Sequence, residues 1–390
     1  MTSAICYCNA KIHAETGPIE KGWLTAEGGR ITAFAAGNAP ENPAYSYRNC
    51  NGLHVLPGFV DIHIHGACGH EFMDAHALAF RSIAQHCAQH GVTAFLPTTW
   101  SAPQEEILNV LHQLKRTMKE GTGSSRILGA HIEGPYLNPR FSGAQDERHL
   151  RPIDEREVQR WLATGIVRLL ALAPEIPAAM ALIEQVVEEG MTVSAAHSGA
   201  RFAQLKQAIA YGLKQVTHTF NGMAPLHQRE PGILGAALSL KELSCEVIAD
   251  GIHVHPSLVN LLYQIKSKDR LILITDSVRA AGLPDGSEYE QDGRVVRCND
   301  GAARLADGTL AGSTLTMDRA LLNLSEWTGN SFTELWPCAS LTPARAIQLD
   351  HEIGSIAVGK RADLVLLSAE GQVLETIVAG ETVYRATSHH

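Results

Sequence analysis

Pro57-Gly58-Phe59-Val60-Asp61-Ile62-His63-Ile64-His65 puts a turn signal in front of a run of β-formers and ends it in two histidines. Residues two apart on a strand project from one face. His63 and His65 therefore point together, on the side that also carries Asp61. Two imidazoles converging at a strand end suit a borderline divalent cation, zinc first and iron(II) second. An isolated His-x-His is more often two unrelated histidines, one of them packed in a core, so its reading depends on the rest of the chain.

Outward from this stretch, apolar strand-like runs alternate with longer helical patterns. Eight runs stand out, at 59–65, 93–99, 127–133, 167–175, 192–197, 215–218, 245–250 and 271–276. Such alternation argues for a parallel sheet with crossover helices, and eight units are what a (β/α)8 TIM barrel requires. An open doubly wound sheet is the alternative, usually with six strands. No Gly-x-Gly-x-x-Gly and no phosphate-binding loop follows any run. The texture changes at both ends. Gly22-Trp23-Leu24-Thr25 and Arg30-Ile31-Thr32-Ala33-Phe34 near the start are short strand-like pieces set off by turns, as are Ala362-Asp363-Leu364-Val365-Leu366-Leu367 and Thr376-Ile377-Val378-Ala379-Gly380 near the end. The two ends are predicted to pair into one small β-sandwich, residues 1–56 with 350–388, beside a distorted barrel spanning 57–349. Two separate β-pieces are the alternative.

The polar residues fall at the ends of the runs: His63 and His65, Thr98 and Thr99, Glu133, Glu175, His197, His218, Asp250 and Asp276. In a parallel barrel all C-terminal strand ends share one face, where such enzymes carry out their chemistry. One strand-end histidine is usually structural. Four histidines, a glutamate and an aspartate at the ends of five strands are hard to explain by packing, because buried charge is costly unless paired or metal-bound. The constellation points to a metal site. Taken alone, Asp276 reads equally well as a helix N-cap.

Composition narrows the classes. A chain of 390 residues with 45% hydrophobic content can bury a large core. Its net charge of −9 provides no basic field for nucleic acid. No apolar run reaches membrane-spanning length and no basic segment leads into an apolar one at the start, so no membrane partner and no export signal are expected. Eight scattered cysteines without a Cys-x-x-Cys read as reduced thiols of a cytoplasmic protein.

Several segments resemble the amidohydrolase superfamily and, within it, the N-acetylhexosamine-6-phosphate deacetylases. They include His131-Ile132-Glu133-Gly134-Pro135-Tyr136-Leu137-Asn138, Ala196-His197-Ser198, Thr217-His218-Thr219-Phe220-Asn221-Gly222-Met223 and Arg229-Glu230-Pro231-Gly232. Ala249-Asp250-Gly251-Ile252-His253, Ile274-Thr275-Asp276 and Leu310-Ala311-Gly312-Ser313 extend the likeness over nearly the whole chain. It covers branches that act on either the gluco or the galacto epimer. The resemblance implies a deformed barrel with a small β-sandwich, metal binding by Glu133, His197 and His218, and Asp276 as acid–base residue. His63 and His65 imply a second metal, with Glu133 bridging, so one or two divalent cations per subunit are expected. The superfamily's frequent bridging carboxylated lysine has no counterpart.

One departure stands out. Where part of the family places a histidine that polarises the acetyl carbonyl, this chain reads Ser142-Gly143-Ala144-Gln145. That role falls to the metal, to Gln145 or to His253. The expected contacts to a phosphorylated amino sugar are Ala144, Gln145, Asn221, Gly222, Arg229, His253 and Leu310. Arg229 can grip two phosphate oxygens with its planar fork. The resemblance implies that it does so at or near a homodimer interface. Rival readings are a cyclic-amide or dipeptide hydrolase of the same superfamily, and a relative that has lost catalysis and serves as a binding protein.

Overall fold

The structure, a computed structural model, describes residues 4–291 and 293–387. Residues 1–3 and 388 of the expected terminal domain lie outside the described residues. All eight runs form strands: β1 (Phe59–Ile64), β2 (Val92–Thr99), β3 (Ala130–Glu133), β4 (Val167–Leu172), β5 (Thr192–Ala195), β6 (Gln215–Val216), β7 (Ser244–Ile248) and β8 (Leu271–Ile274). Each pairs parallel with the next in chain order. A helix follows every strand: α1 (Ala77–Gln89), α2 (Gln104–Glu120), α3 (Glu155–Thr164), α4 (Ala179–Glu188), α5 (Phe202–Ala210), α6 (Gly232–Ser239), α7 (Pro256–Arg270) and α8 (Met317–Thr328). This is a (β/α)8 barrel, not an open doubly wound sheet. No described helix is long and apolar enough to cross a membrane.

The barrel is closed unevenly. No regular ladder joins β8 to β1 among the described residues. That seam is held by Asp276 N donating to His63 O and His65 N donating to Ser277 O, both at 2.9 Å. The Asp61 carboxylate accepts from Thr275 Oγ1 at 2.5 Å and from Thr275 N at 3.4 Å. The distortion therefore lies between the two strands that carry the His-x-His and Asp276.

Outward-facing Val, Leu and Ile of the strands pack against the helices in one continuous core. Inside, the barrel is polar. Asp61, His63, His131, Ser194, Gln215 and Glu246 are all fully buried.

The chain ends do meet. Ala4–Ala14, Gly17–Glu27, Arg30–Ala36, Tyr45–Asn49 and His54–Pro57 join Leu364–Leu367, Val373–Val378 and Glu381–Arg385 in one eight-stranded sheet. The seam between the two ends pairs Leu364 with Pro57 and Leu366 with Val55. This sheet has its own small core of Tyr7, Ile12, Leu24, Ile31, Val55, Leu364 and Ile377.

An unforeseen element lies between β8 and α8. Glu288–Gln291, Arg294–Asn299, Ala302–Leu305 and Leu310–Ser313 form a four-stranded antiparallel sheet. Its Val296, Cys298, Ala303 and Ala311 pack on Trp100, Ala144, Val278 and Ala280 at the barrel mouth. The signal was present in the sequence: Asn299-Asp300-Gly301 is a hairpin turn between β-forming runs.

Candidate active site

Five side chains from four other strand ends, His63 and His65 sharing β1, gather around Glu133, the last residue of β3. His197 Nε2 and His218 Nε2 lie 3.2 and 3.0 Å from Glu133 Oε1, and 3.2 Å from each other. On the other side, His65 Nε2 is 3.3 Å from Glu133 Oε2 and 3.3 Å from Asp276 Oδ1. His63 Nε2 is 3.7 Å from Glu133 Oε2, 3.4 Å from Asp276 Oδ1 and 3.3 Å from His65 Nε2. A tetrahedral cation with bonds of about 2.0–2.1 Å needs donors roughly 3.3 Å apart. Both groups of donors have that spacing, and the two oxygens of Glu133 face different groups.

Hydrogen-bond partners assign the imidazoles. His197 Nδ1 lies 2.7 Å from Phe141 O, and His218 Nδ1 lies 3.1 Å from Asn221 O. A carbonyl oxygen only accepts, so each Nδ1 carries the proton and each neutral ring presents an Nε2 lone pair to the centre. His63 Nδ1 faces Glu246 Oε2 at 3.1 Å, with the same consequence. His65 stacks on Trp100, with ring centroids 3.8 Å apart and planes 11° from parallel. The lone pairs of His197 and His218, aimed at one another across 3.2 Å, repel unless a cation lies between them. The donor set therefore fits divalent cations such as zinc or iron(II). Above it opens a cavity of about 180 Å³.

Comparison with known proteins agrees with this geometry. A profile of the amidohydrolase family matches residues 54–383. The chain belongs to the amidohydrolase family. It is 37% identical over 336 residues to N-acetylglucosamine-6-phosphate deacetylase of Vibrio furnissii, covering 86% of this chain and 84% of that one. It is 36% identical over 365 residues to N-acetylgalactosamine-6-phosphate deacetylase of Escherichia coli O157:H7, covering 93% and 96%. Among solved structures it is similar to an aspartate-to-alanine variant of N-acetyl-D-glucosamine-6-phosphate deacetylase from Mycobacterium smegmatis in complex with N-acetyl-D-glucosamine-6-phosphate. There the TM-score is 0.90 and the identity 32%, over 98% of this chain and 99% of that one.

In this amidohydrolase the residues expected from the sequence nearly all line the cavity: Glu133, Ala144, Gln145, His197, His218, Asn221, Gly222, His253, Asp276 and Leu310. His63 and His65 lie buried beside them. Gln145 is already engaged. Its Oε1 accepts from Ser101 N and its Nε2 donates to Glu133 Oε2, both at 2.8 Å, so it braces the central carboxylate. His253 Nδ1 is held by Asp250 Oδ2 at 2.6 Å. Its neighbour His255 caps α7 instead, accepting from Ser257 N. Arg229 is exposed and does not line the cavity of its own chain. Arg229 makes no salt bridge with the adjacent Glu230, whose Oε1 accepts from Phe202 N and Gly232 N.

Burial and charge set the electrostatics. Burial alone would raise Glu133, but the imidazoles of His63, His197 and His218 beside it hold its carboxyl well below the usual range. Burial likewise works against Asp276, yet His63 and His65 hold it down to about 2. Burial pushes Asp61 up to about 7 against its hydrogen bonds from Thr275.

Backbone strain aims three of these groups. His197, His218 and Asp276 lie just past their strands with φ of +44°, +27° and +47°. Left-handed conformations of this kind cost on the order of 1–3 kcal/mol each and persist where surrounding structure imposes them. Asp276 caps no helix; its backbone is bound to β1 and to Ser313. Sequence reasoning missed Trp100 and Glu246. Glu246 had a signal, a charge inside the apolar run Cys245-Glu246-Val247-Ile248.

Proposed function

We propose that the chain hydrolyses the acetamide of an N-acetylhexosamine 6-phosphate, releasing acetate and the amino sugar 6-phosphate. The observation that carries this reading is the pair of donor groups sharing Glu133 beneath a cavity lined by Asn221, Gly222, His253 and Leu310. The deacetylase relatives, which this chain matches over most of their length, support it. Residues 57–349 would be the catalytic unit, with residues 1–56 and 350–388 as the β-sandwich beside it.

Glu133, His197 and His218 would hold one divalent cation, zinc or iron(II); His63, His65 and Glu133 would hold a second. A cation bound there supplies a Lewis acid for the acetyl carbonyl and lowers the pKa of water toward neutrality. Asp276 takes the proton of the attacking water and passes it to the departing amine nitrogen. With Gln145 committed to Glu133 and Ser101, polarising the carbonyl would fall to the cation, while His253, its Nδ1 held by Asp250, presents Nε2 as an acceptor for a sugar hydroxyl. Asn221 and the Gly222 N–H hold polar groups of the sugar. Arg229, exposed and outside its own cavity, binds the phosphate of a partner subunit's substrate in a homodimer. All eight cysteines are free, in keeping with a cytoplasmic site of action.

The test is acetate release from phosphorylated and free N-acetylhexosamines of both epimers, with cation analysis on the same sample. Release confined to the 6-phosphates is the expected result. Absence of release from every sugar, with cations bound, would refute the reading.

A further inference from the structure

Glu246 sits in the middle of β7 and is fully buried, in a strand whose other residues are apolar or small. Its surroundings explain why a charge is tolerated there. Oε2 accepts from His63 Nδ1 at 3.1 Å and from the backbone N–H of His218 at 3.2 Å. Oε1 accepts a short hydrogen bond from Gln215 Nε2. One carboxylate thus touches a side chain of the His63, His65 and Glu133 group and the backbone of His218 in the other group.

The two contacts are not equivalent. His218 has its ring set independently by Asn221 O, so its lone pair points inward without help from Glu246. His197 is likewise set by Phe141 O. For His63, Glu246 is the only Nδ1 partner among the described residues. Remove that acceptor, and the proton is free to move to Nε2, which would then point N–H rather than a lone pair at the donor group. The ring could also rotate about its side-chain bonds. Partners of this kind orient metal-binding histidines, and their loss typically costs about 10- to 100-fold in metal affinity.

We infer that Glu246 is a positioning residue for the cation position built from His63, His65 and Glu133, and not for the one built from Glu133, His197 and His218. The inference rests on the two-cation reading proposed above. It predicts that the positions can be separated by changing a side chain that binds neither cation.

The experiment compares wild type with Glu246→Leu and Glu246→Gln. Each purified chain is stripped with a chelator and titrated with zinc, and affinity and zinc per subunit are measured by competition and elemental analysis. Glutamine can keep an oxygen against His63 and turn its amide toward Gln215 Oε1, a buried atom with no hydrogen-bond partner. The expected result is two zinc ions in wild type and in Glu246→Gln. In Glu246→Leu one binding step, the one that His65→Ala abolishes, loses about 10- to 100-fold while the other is unchanged. If the leucine variant does not fold, Glu246→Ser, too short to reach His63, is read the same way. Equal loss at both steps, or loss at neither, would overturn the inference, as would a glutamine variant as weak as leucine or a wild type that binds a single zinc. Wild type that binds two zinc ions but releases no acetate refutes the proposed function and leaves this result standing.

Discussion

Replacing Asp276 by Asn isolates the proton transfer from the architecture. The left-handed backbone at φ +47° suits asparagine as well as aspartate, since both tolerate this region. The backbone bonds from Asp276 N to His63 O and from Ser313 N to Asp276 O, both 2.9 Å, do not involve the side chain. The residue is only 8% exposed, so an amide of the same shape fits the space without repacking. What is lost is a base 3.3–3.4 Å from the histidine nitrogens. No second carboxylate covers for it. Glu133, the other acid lining the cavity, has Oε1 against His197 and His218 and Oε2 bonded to Gln145. General acid–base catalysis is worth about 10²- to 10⁴-fold, or roughly 3–5 kcal/mol of barrier. With one group serving both transfers, kcat should fall toward the larger figure while the Glu133, His197 and His218 position keeps its cation. The assay is acetate release under saturating substrate, with metal content measured on the same preparation. Turnover near the wild-type rate with cations retained would refute the assigned role.

Other perturbations read other parts of the site. Arg229→Ala should raise KM for the 6-phosphate sugar by roughly 10- to 100-fold, the value of a charge-assisted bidentate contact, and leave the melting temperature unchanged because the residue is exposed; an unchanged KM would exclude it from phosphate binding. Gly222→Ala places a Cβ 2.7 Å from His197 Nδ1 on a backbone at φ +59°. Strain of about 1–2 kcal/mol and a displaced His197 should lower both the melting temperature and cation affinity, and a variant that titrates like wild type would show that this loop yields. His86 provides a pH test away from the site. Burial, reinforced by His90, pushes its imidazole down to about 4. Between the ordinary histidine value and pH 4 the unfolded chain takes up a proton that the folded chain refuses. Stability is therefore complete above about pH 6.5 and falls as pH drops toward 4, by at most about 3 kcal/mol from this residue. His86→Gln should flatten that slope in calorimetric melts from pH 7 to pH 4.5, and parallel slopes would show that His86 does not carry it.

The sequence by itself determined the barrel, because the alternation of strand and helix patterns is local and each β1 to β8 run announces itself within a few residues. It also determined which chemistry is present, because in parallel strands the residue at the end of an apolar run must lie at the catalytic mouth. Glu133, His197, His218 and Asp276 were legible for that reason, as was the His63 and His65 pair. Only the tertiary structure decided how they are aimed. The positive φ at His197, His218 and Asp276 is imposed by packing and long-range backbone bonds that leave no mark on periodicity. Gln145 looked free to meet a carbonyl, but it is committed to Glu133 because the fold brings the two together. The bond from Glu246 to His63 joins residues 183 positions apart, and no spacing rule predicts a contact that exists only once the barrel has closed.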